Sequence, residues 1–584
     1  MFRASRATYA LLRSLLIGSA AVTTAALVSP VLVGCKNENQ PEYWLDKMDD
    51  PQWRPRAVKR LTQFLDDALT KANGNKEEQV VKDLEDKLVG PLTEAYVTNY
   101  ADLDTATRVG LIRLLADFRD PRTIPALKKA FDEFANRPRK TKDEADIKWA
   151  VRAYGDMKSK ELAPSVLAAF EKLEAHTMLG GITYRDYSEA MVAAPDPGWS
   201  SSLIALLDQE MKDPQAAKTK EQARDLVDPF RSQQFWQVTA AQVLGELRDP
   251  AAVEPLIKVI LTPAKSSIAT TALLALVKIG KPSVDRAIKM LDEKDPLVSY
   301  HKKELVKAQD LKEEPKGNPA LSIAASIIGL TSRSEGLAPL MSILEGKADN
   351  TDKVLVAREL AKIPATPASK EAFKKAFESI PLDTAVQGTP GLVLLAEAAA
   401  QFYDPSMIPW MLEMAEKTKG GGEEKTALQQ ALTMSALKLA PAKYWAEVSA
   451  AAKKYKMDDL VKGAEAVVKE CGDKVACYLE AVEKSVYQEE KNQLGAIKAA
   501  YMIGVLGNAE SRDELIKHLD GIDNAAVRFV AAQTIDYLTP KGDQAVQDAL
   551  NAIIDKNAKS PDTHKAAGDS GLRQVSYRLL ARGS

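Results

Sequence analysis

The sequence predicts an all-α fold, an α-solenoid in which antiparallel helix pairs stack into a superhelix. Three observations predict it. Apolar residues follow helical spacing from about Trp53 to the end, and no run of strand length alternates convincingly between apolar and polar. One pattern of helix, turn and helix returns along the chain. Aromatic residues are few, at 6%, and alanine is abundant, which suits helices whose axes approach closely.

The recurrence is clearest in GLIRLLADFRDPRTIPALKKAF (110–131), WAVRAYGDMKSKELAPSVLAAF (149–170), AAQVLGELRDPAAVEPLIKVI (240–260), AASIIGLTSRSEGLAPLMSIL (324–344) and LAEAAAQFYDPSMIPWMLEMA (395–415). Each reads as an apolar helix, a short turn and a second amphipathic helix with proline near its start: Pro125, Pro164, Pro255, Pro339 and Pro409. In Arg-Asp-Pro (119–121, 248–250) and Tyr-Asp-Pro (403–405) the Asp can cap exposed N–H groups and Pro tolerates a first-turn position. The second proline must then open the true helix, which makes Asp-Pro a single loose turn. Weaker copies occupy 272–291, 356–377, 435–455, 499–519 and 530–553.

These segments resemble the HEAT-repeat family, particularly its short bacterial form. The match is best in AAQVLGELRDPAAVEPLIKVI, with Ala, Leu-Gly, Asp-Pro, Val and Pro-Leu in the family's order. The resemblance extends over 100–555 and implies stability that accumulates cooperatively along the stack. Roughly 12 pairs, each advancing about 10 Å, would give a curved path of about 120 Å. A non-repetitive helical bundle is the alternative.

Three stretches depart from the repeat. HTMLGGITYRDYSEAMVAAPDPGW (176–199) brings Tyr184, Tyr187 and Trp199 near Phe235 and Trp236. Insertions in repeat proteins emerge on one face, often the binding face, so these five aromatics are candidate partner contacts; packing against adjoining helices is the competing reading. KKELVKAQDLKEEPKGNP (302–319) and the basic run RPRKTKD (137–143) read as solvated loops.

The amino terminus carries Arg3, Arg6 and Arg13 and no acid, then an uncharged run from Ser14 to Cys35. That is the pattern of a secretory signal. Its end, Leu32-Val33-Gly34-Cys35, resembles the lipobox of bacterial lipoproteins, which implies cleavage after residue 34 and acylation of Cys35. Two or three acyl chains anchor a protein stably where one does not. The competing readings are an uncleaved spanning helix, made poor by Ser, Thr, Gly and Pro30, and plain secretion after an earlier alanine. The expected organisation is a signal over 1–34, a lipidated Cys35 with a short tether over 35–44, and a solenoid over 45–584 interrupted near 176–236 and 302–319. Lys36 after the cysteine favours the outer membrane facing the periplasm over the inner membrane, with surface exposure left open.

Without residues 1–34, three arginines are lost from 79 basic residues and none from 81 acidic ones, leaving 76 against 81, or −5. No field of that size argues for nucleic acid. Cys471 and Cys477 would lie on different faces of a continuous helix, about 9 Å apart along its axis. Gly472 and Asp473 read instead as a helix stop and a new N-cap, and export then makes a disulfide the natural outcome. His176, His301, His518 and His564 show no paired ligand spacing, no nucleophile elbow or phosphate loop occurs, and Gly420-Gly421-Gly422 follows no strand. No catalytic residue, metal or cofactor is therefore assigned. The expected function is a lipid-anchored scaffold for an envelope protein or peptide; the alternative is an enzyme or small-ligand sensor with its site near 176–236. Cells grown with labelled palmitate should label the protein, and Cys35→Ala should abolish that label; an unlabelled wild-type chain rejects the anchor.

Overall fold

A computed structural model describes residues 37–137, 145–174, 181–418, 422–484, 486, 493–558 and 563–583. The lipobox, Cys35, Lys36, His176 and most of the basic run 137–143 lie outside these residues. Two compact units are present, Met1–Gly110 and Leu111–Ser584. The first holds helices Pro41–Asp46, Arg54–Lys71 and Gln79–Asn99 around Trp44, Leu61, Leu88, Leu92 and Tyr96, all buried.

The second unit is a two-layer stack of helix pairs. One layer contains α1 (Ala145–Met157), α2 (Gly181–Ala193), α3 (Lys220–Leu247), α4 (Ser266–Ile279), α5 (Leu321–Thr331) and α6 (Asn350–Leu360). It continues with α7 (Gly391–Ala398), α8 (Glu423–Leu439), α9 (Gln493–Leu506), α10 (Ala525–Tyr537) and α11 (Thr563–Gly583). The second layer is made of partners such as Val253–Leu261, Leu337–Glu345 and Ile408–Lys417. Among the described residues the only strand pairing is a two-residue hairpin, Ala385–Val386 with Thr389–Pro390.

The turns are built as their residues require. Asp120, Asp249 and Asp404 accept the N–H groups of Arg122, Ala251 and Ser406, and each opens one 3₁₀ turn. The proline-bearing helix starts directly afterwards, at Ile124, Val253 and Ile408. Before each Asp the chain passes through the left-handed region, at Arg119, Arg248 and Tyr403 with φ of 61°, 53° and 48°. Non-glycine residues rarely adopt it, and a bulky aromatic least of all.

Several expectations need correction. Residues 181–193 are helical and Tyr184 and Tyr187 stand on α2, so the departure at 176–199 is largely another helix of the layer, not a loop. The charged stretch from 302 begins inside helix Pro296–Gln309, because Leu297, Val298 and His301 give that helix a buried face. Cys471 and Cys477 are disulfide-bonded with Cα atoms 5.3 Å apart, and the chain reverses at Gly472 with φ 57°. The next helix, Val475–Ala481, is capped at Lys474 without a side-chain bond, so Asp473 is not its N-cap.

The largest departure is that the stack from α4 onward is closed. Each layer helix packs on the next, and α11 returns to pack on α4 and α5 as well as on α10. A curved path with contacts accumulating along the stack was expected; here distant repeats also pack on one another. Tyr403, just after α7, crosses to the far side. Its ring stacks on Tyr501 and Tyr537 at 5.1 and 4.5 Å, and its hydroxyl meets Thr534 Oγ1 at 3.1 Å. Burial pushes its phenol pKa well above the ordinary value. Lys498 of α9 donates to the carbonyls of Ala440 and Lys438 at the end of α8. Between α10 and α11 the fully buried Arg528 and Asp569 pair at 2.7 Å, with Asn557 donating to the other carboxylate oxygen at 3.0 Å.

Gly504 leaves room for the Tyr403 ring: a Cβ there would lie 2.4 Å from Cδ1. Gly504→Ala should therefore lower stability by about 1–3 kcal/mol through overpacking. Urea unfolding followed by circular dichroism, alongside Gly90→Ala, where a Cβ meets nothing within 4 Å, provides the comparison. An unshifted midpoint for Gly504→Ala means that the crossing contact does not support the fold.

Candidate functional site

The closed part of the stack spends its layer face on itself. The layer helices α1, α2 and α3 precede the closure, and there a groove of about 520 Å³ runs between α2 and α3. Tyr184, Ser188 and Val192 form one wall; Arg231, Phe235 and Gln242 form the other. Thr219 starts α3 by accepting the N–H of Gln222, and Arg248 ends it in the left-handed region. This 28-residue helix can thus serve two neighbours, α2 and α4.

The five predicted aromatics divide by depth. Tyr187 and Trp199 are buried, at 0% and 2% exposure, and cannot offer a contact surface. Tyr187 lies between Phe131 and Phe170, with centroids at 6.3 and 6.2 Å. Trp199 donates through Nε1 to the Ala163 carbonyl at 2.9 Å. Here the expectation of partner contact yields to packing, since their rings fill the space between helix layers. Tyr184, Phe235 and Trp236 are half-buried. Tyr184 and Phe235 line the groove with centroids 5.4 Å apart, and the Tyr184 hydroxyl donates to the Glu174 carbonyl at 2.7 Å. Trp236 points elsewhere, donating to the Phe170 carbonyl at 3.1 Å and lining a separate cavity of about 500 Å³ with Leu206 and Gln209.

Sequence reasoning missed the polar half of the groove. Ser188 donates to Gln242 Oε1 at 3.0 Å across it, and Arg185 pairs with Glu189 on its rim. Toward α1, Arg152 pairs with Asp186, and Arg113 and Arg152 both lie 4.9 Å from the centre of the Trp149 ring. Helical spacing on α2 (184, 188, 192) and α3 (231, 235, 238, 242) was the signal that could have found this face.

A third cavity, of about 440 Å³, sits at the closure and is lined by Lys362, Tyr403, Asp536, Tyr537, Arg578 and Arg582. Its charges are spent internally. Asp536 takes both guanidinium groups, Arg578 also caps the Lys362 carbonyl, and Glu359 holds the Lys362 ammonium at 2.6 Å. Burial lowers the pKa of Lys362 against the pull of Glu359. Such a set is a seam between repeats, and the α2/α3 groove is the better candidate. Among the described residues no group of three or more His, Cys, Asp or Glu side chains could hold a metal. His301 is buried with Nδ1 at 2.6 Å from the Leu261 carbonyl, and burial lowers its pKa.

Residues 236–262 match the PBS lyase HEAT-like repeat family, covering the end of α3 and its partner helix. No curated protein matches the chain.

Tyr187→Ala should cost about 3–5 kcal/mol, the range for deleting a buried aromatic. Arg231→Ala, on the exposed rim, should stay within about 0.5 kcal/mol of wild type. Thermal melts of the two variants separate packing from surface; equal losses would contradict this division.

Proposed function

We propose that the chain is a lipid-anchored binding scaffold of the bacterial cell envelope, holding a protein or peptide partner in the α2/α3 groove and catalysing no reaction. The observation that carries the reading is the groove itself. Its lining comes from two neighbouring repeat helices, it combines aromatic floor with polar rim, and it stands outside the closed part of the stack. Repeat proteins bind along such helix faces.

Acylated Cys35 would confine this surface to one membrane, with Lys36–Gln40 as the tether. Confinement raises the effective concentration of any partner resident on that membrane, without requiring a new contact. The outer membrane facing the periplasm is the preferred address. The mixed charges of the rim, Arg185 with Glu189, and of the neighbouring face toward α1, Arg152 with Asp186, fit a polypeptide better than nucleic acid, which calls for an uncompensated basic face.

Affinity capture from detergent-solubilised envelopes tests the reading. A stoichiometric polypeptide should be recovered with wild type and lost with Arg231→Ala combined with Gln234→Ala, both groove residues. Equal recovery with that variant places the partner elsewhere. A bound small molecule, or turnover by the purified chain, rejects the scaffold in favour of a sensor or an enzyme.

A further inference from the structure

The first unit carries a surface constellation that the scaffold reading does not use. Cations and rings alternate across Pro41–Asp46 and Arg54–Lys71. Lys47 Nζ lies 5.5 Å from the centre of the Tyr43 ring and 5.2 Å from that of Trp53. The Arg56 guanidinium lies 5.4 Å from Trp53 and 5.5 Å from Trp44. Arg60 continues the ladder, 5.9 Å from Trp44 and 5.6 Å from Phe64. Trp44 is the buried rung, fixed by its Nε1 donating to the Glu38 carbonyl at 2.7 Å. Arg56 and the adjacent Lys59 are exposed; Tyr43, Lys47, Trp53, Arg60 and Phe64 are half-buried.

Lys47, Arg56, Lys59 and Arg60 form no ion pair with any described carboxylate; the one polar side-chain partner among them is Gln63, which accepts from Arg60. Asp49 and Asp50 sit in the turn that follows the helix Pro41–Asp46. Three of these cations, Lys47, Arg56 and Arg60, are held on ring faces, and Lys59 is exposed beside them. Amphipathic aromatic rings prefer the zone between water and hydrocarbon, and lysine and arginine there reach phosphate oxygens.

We propose that this ladder docks on the anionic phospholipid headgroups of the membrane holding the Cys35 acyl chains. It rests on the anchor reading for its location. Five residues, Lys36–Gln40, span at most about 18 Å when fully extended, so the helix beginning at Pro41 stays beside the headgroups. The guanidinium and ammonium groups bond phosphate while Trp53 and Tyr43 settle at the interface. Docking would convert a loose tether into a defined orientation.

The test uses the chain from residue 35 with Cys35→Ala, so that no acyl chain contributes. Co-sedimentation is measured with vesicles of equimolar phosphatidylglycerol and phosphatidylcholine and with phosphatidylcholine alone. Binding should need phosphatidylglycerol and weaken as salt rises. Lys59→Gln, an exposed change outside the ring contacts, should lower partitioning about five-fold, and Arg56→Gln/Lys59→Gln/Arg60→Gln roughly a hundredfold. Equal binding to both vesicles, or partitioning unmoved by Lys59→Gln and by the triple variant, overturns the proposal. Palmitate labelling of the wild type reads the anchor separately. Phosphatidylglycerol-dependent binding without label at Cys35 supports the surface while removing the anchor; label with headgroup-independent binding removes the surface.

Discussion

Tyr403 leaves the end of one repeat in a left-handed backbone conformation and inserts its ring between Tyr501 and Tyr537, 98 and 134 residues further along. An ordinary repeat stack has contacts only between neighbours, and its stability is close to a sum over adjacent interfaces. Here one side chain ties the fourth repeat helix of the closed segment to the last ones, and Gly504 supplies the space. Arg119 and Arg248 occupy the equivalent cap position in two other repeats and keep a charged side chain there. The same backbone device thus carries two outcomes, according to whether the residue is arginine or tyrosine.

The closure divides the unit into surfaces that are spent and surfaces that are free. From α4 to α11 the layer face is covered by the chain's own helices, with Arg528–Asp569, Lys498 and the Arg578/Arg582/Asp536 seam meeting polar groups in the interior. Burying such ions is costly unless geometry and extra hydrogen bonds offset the desolvation, and the Asn557 bond to Asp569 is of that kind. The groove between α2 and α3 is left over by this arrangement.

Much of the local structure was legible. Asp-Pro announced the capped 3₁₀ turn, and the second proline announced the true helix start, because both act through their own backbone. Gly472 announced the reversal that lets Cys471 meet Cys477. Less legible was the stretch 176–199, where Gly180-Gly181 and the aromatics suggested a loop but the spacing of Tyr187, Ala190, Met191 and Ala194 gives α2 a buried face. The candidate site was half visible. Tyr184 and Phe235 stood out as large rings, yet Tyr187 and Trp199 stood out equally and went inside. A residue type alone does not tell which side of a helix it occupies relative to a neighbour far away in sequence.

By itself, then, the sequence determined the helix pairs, their turns and the disulfide, since each depends on residues within about one repeat of one another. Only the tertiary structure decided that the stack closes, that Tyr403 is its crossing point and that the α2/α3 face stays open. Closure depends on contacts between repeats separated by more than a hundred residues. Any apolar helix face is equally consistent with covering its neighbour, covering a distant repeat or receiving a partner, and only the path of the chain in space selects among them.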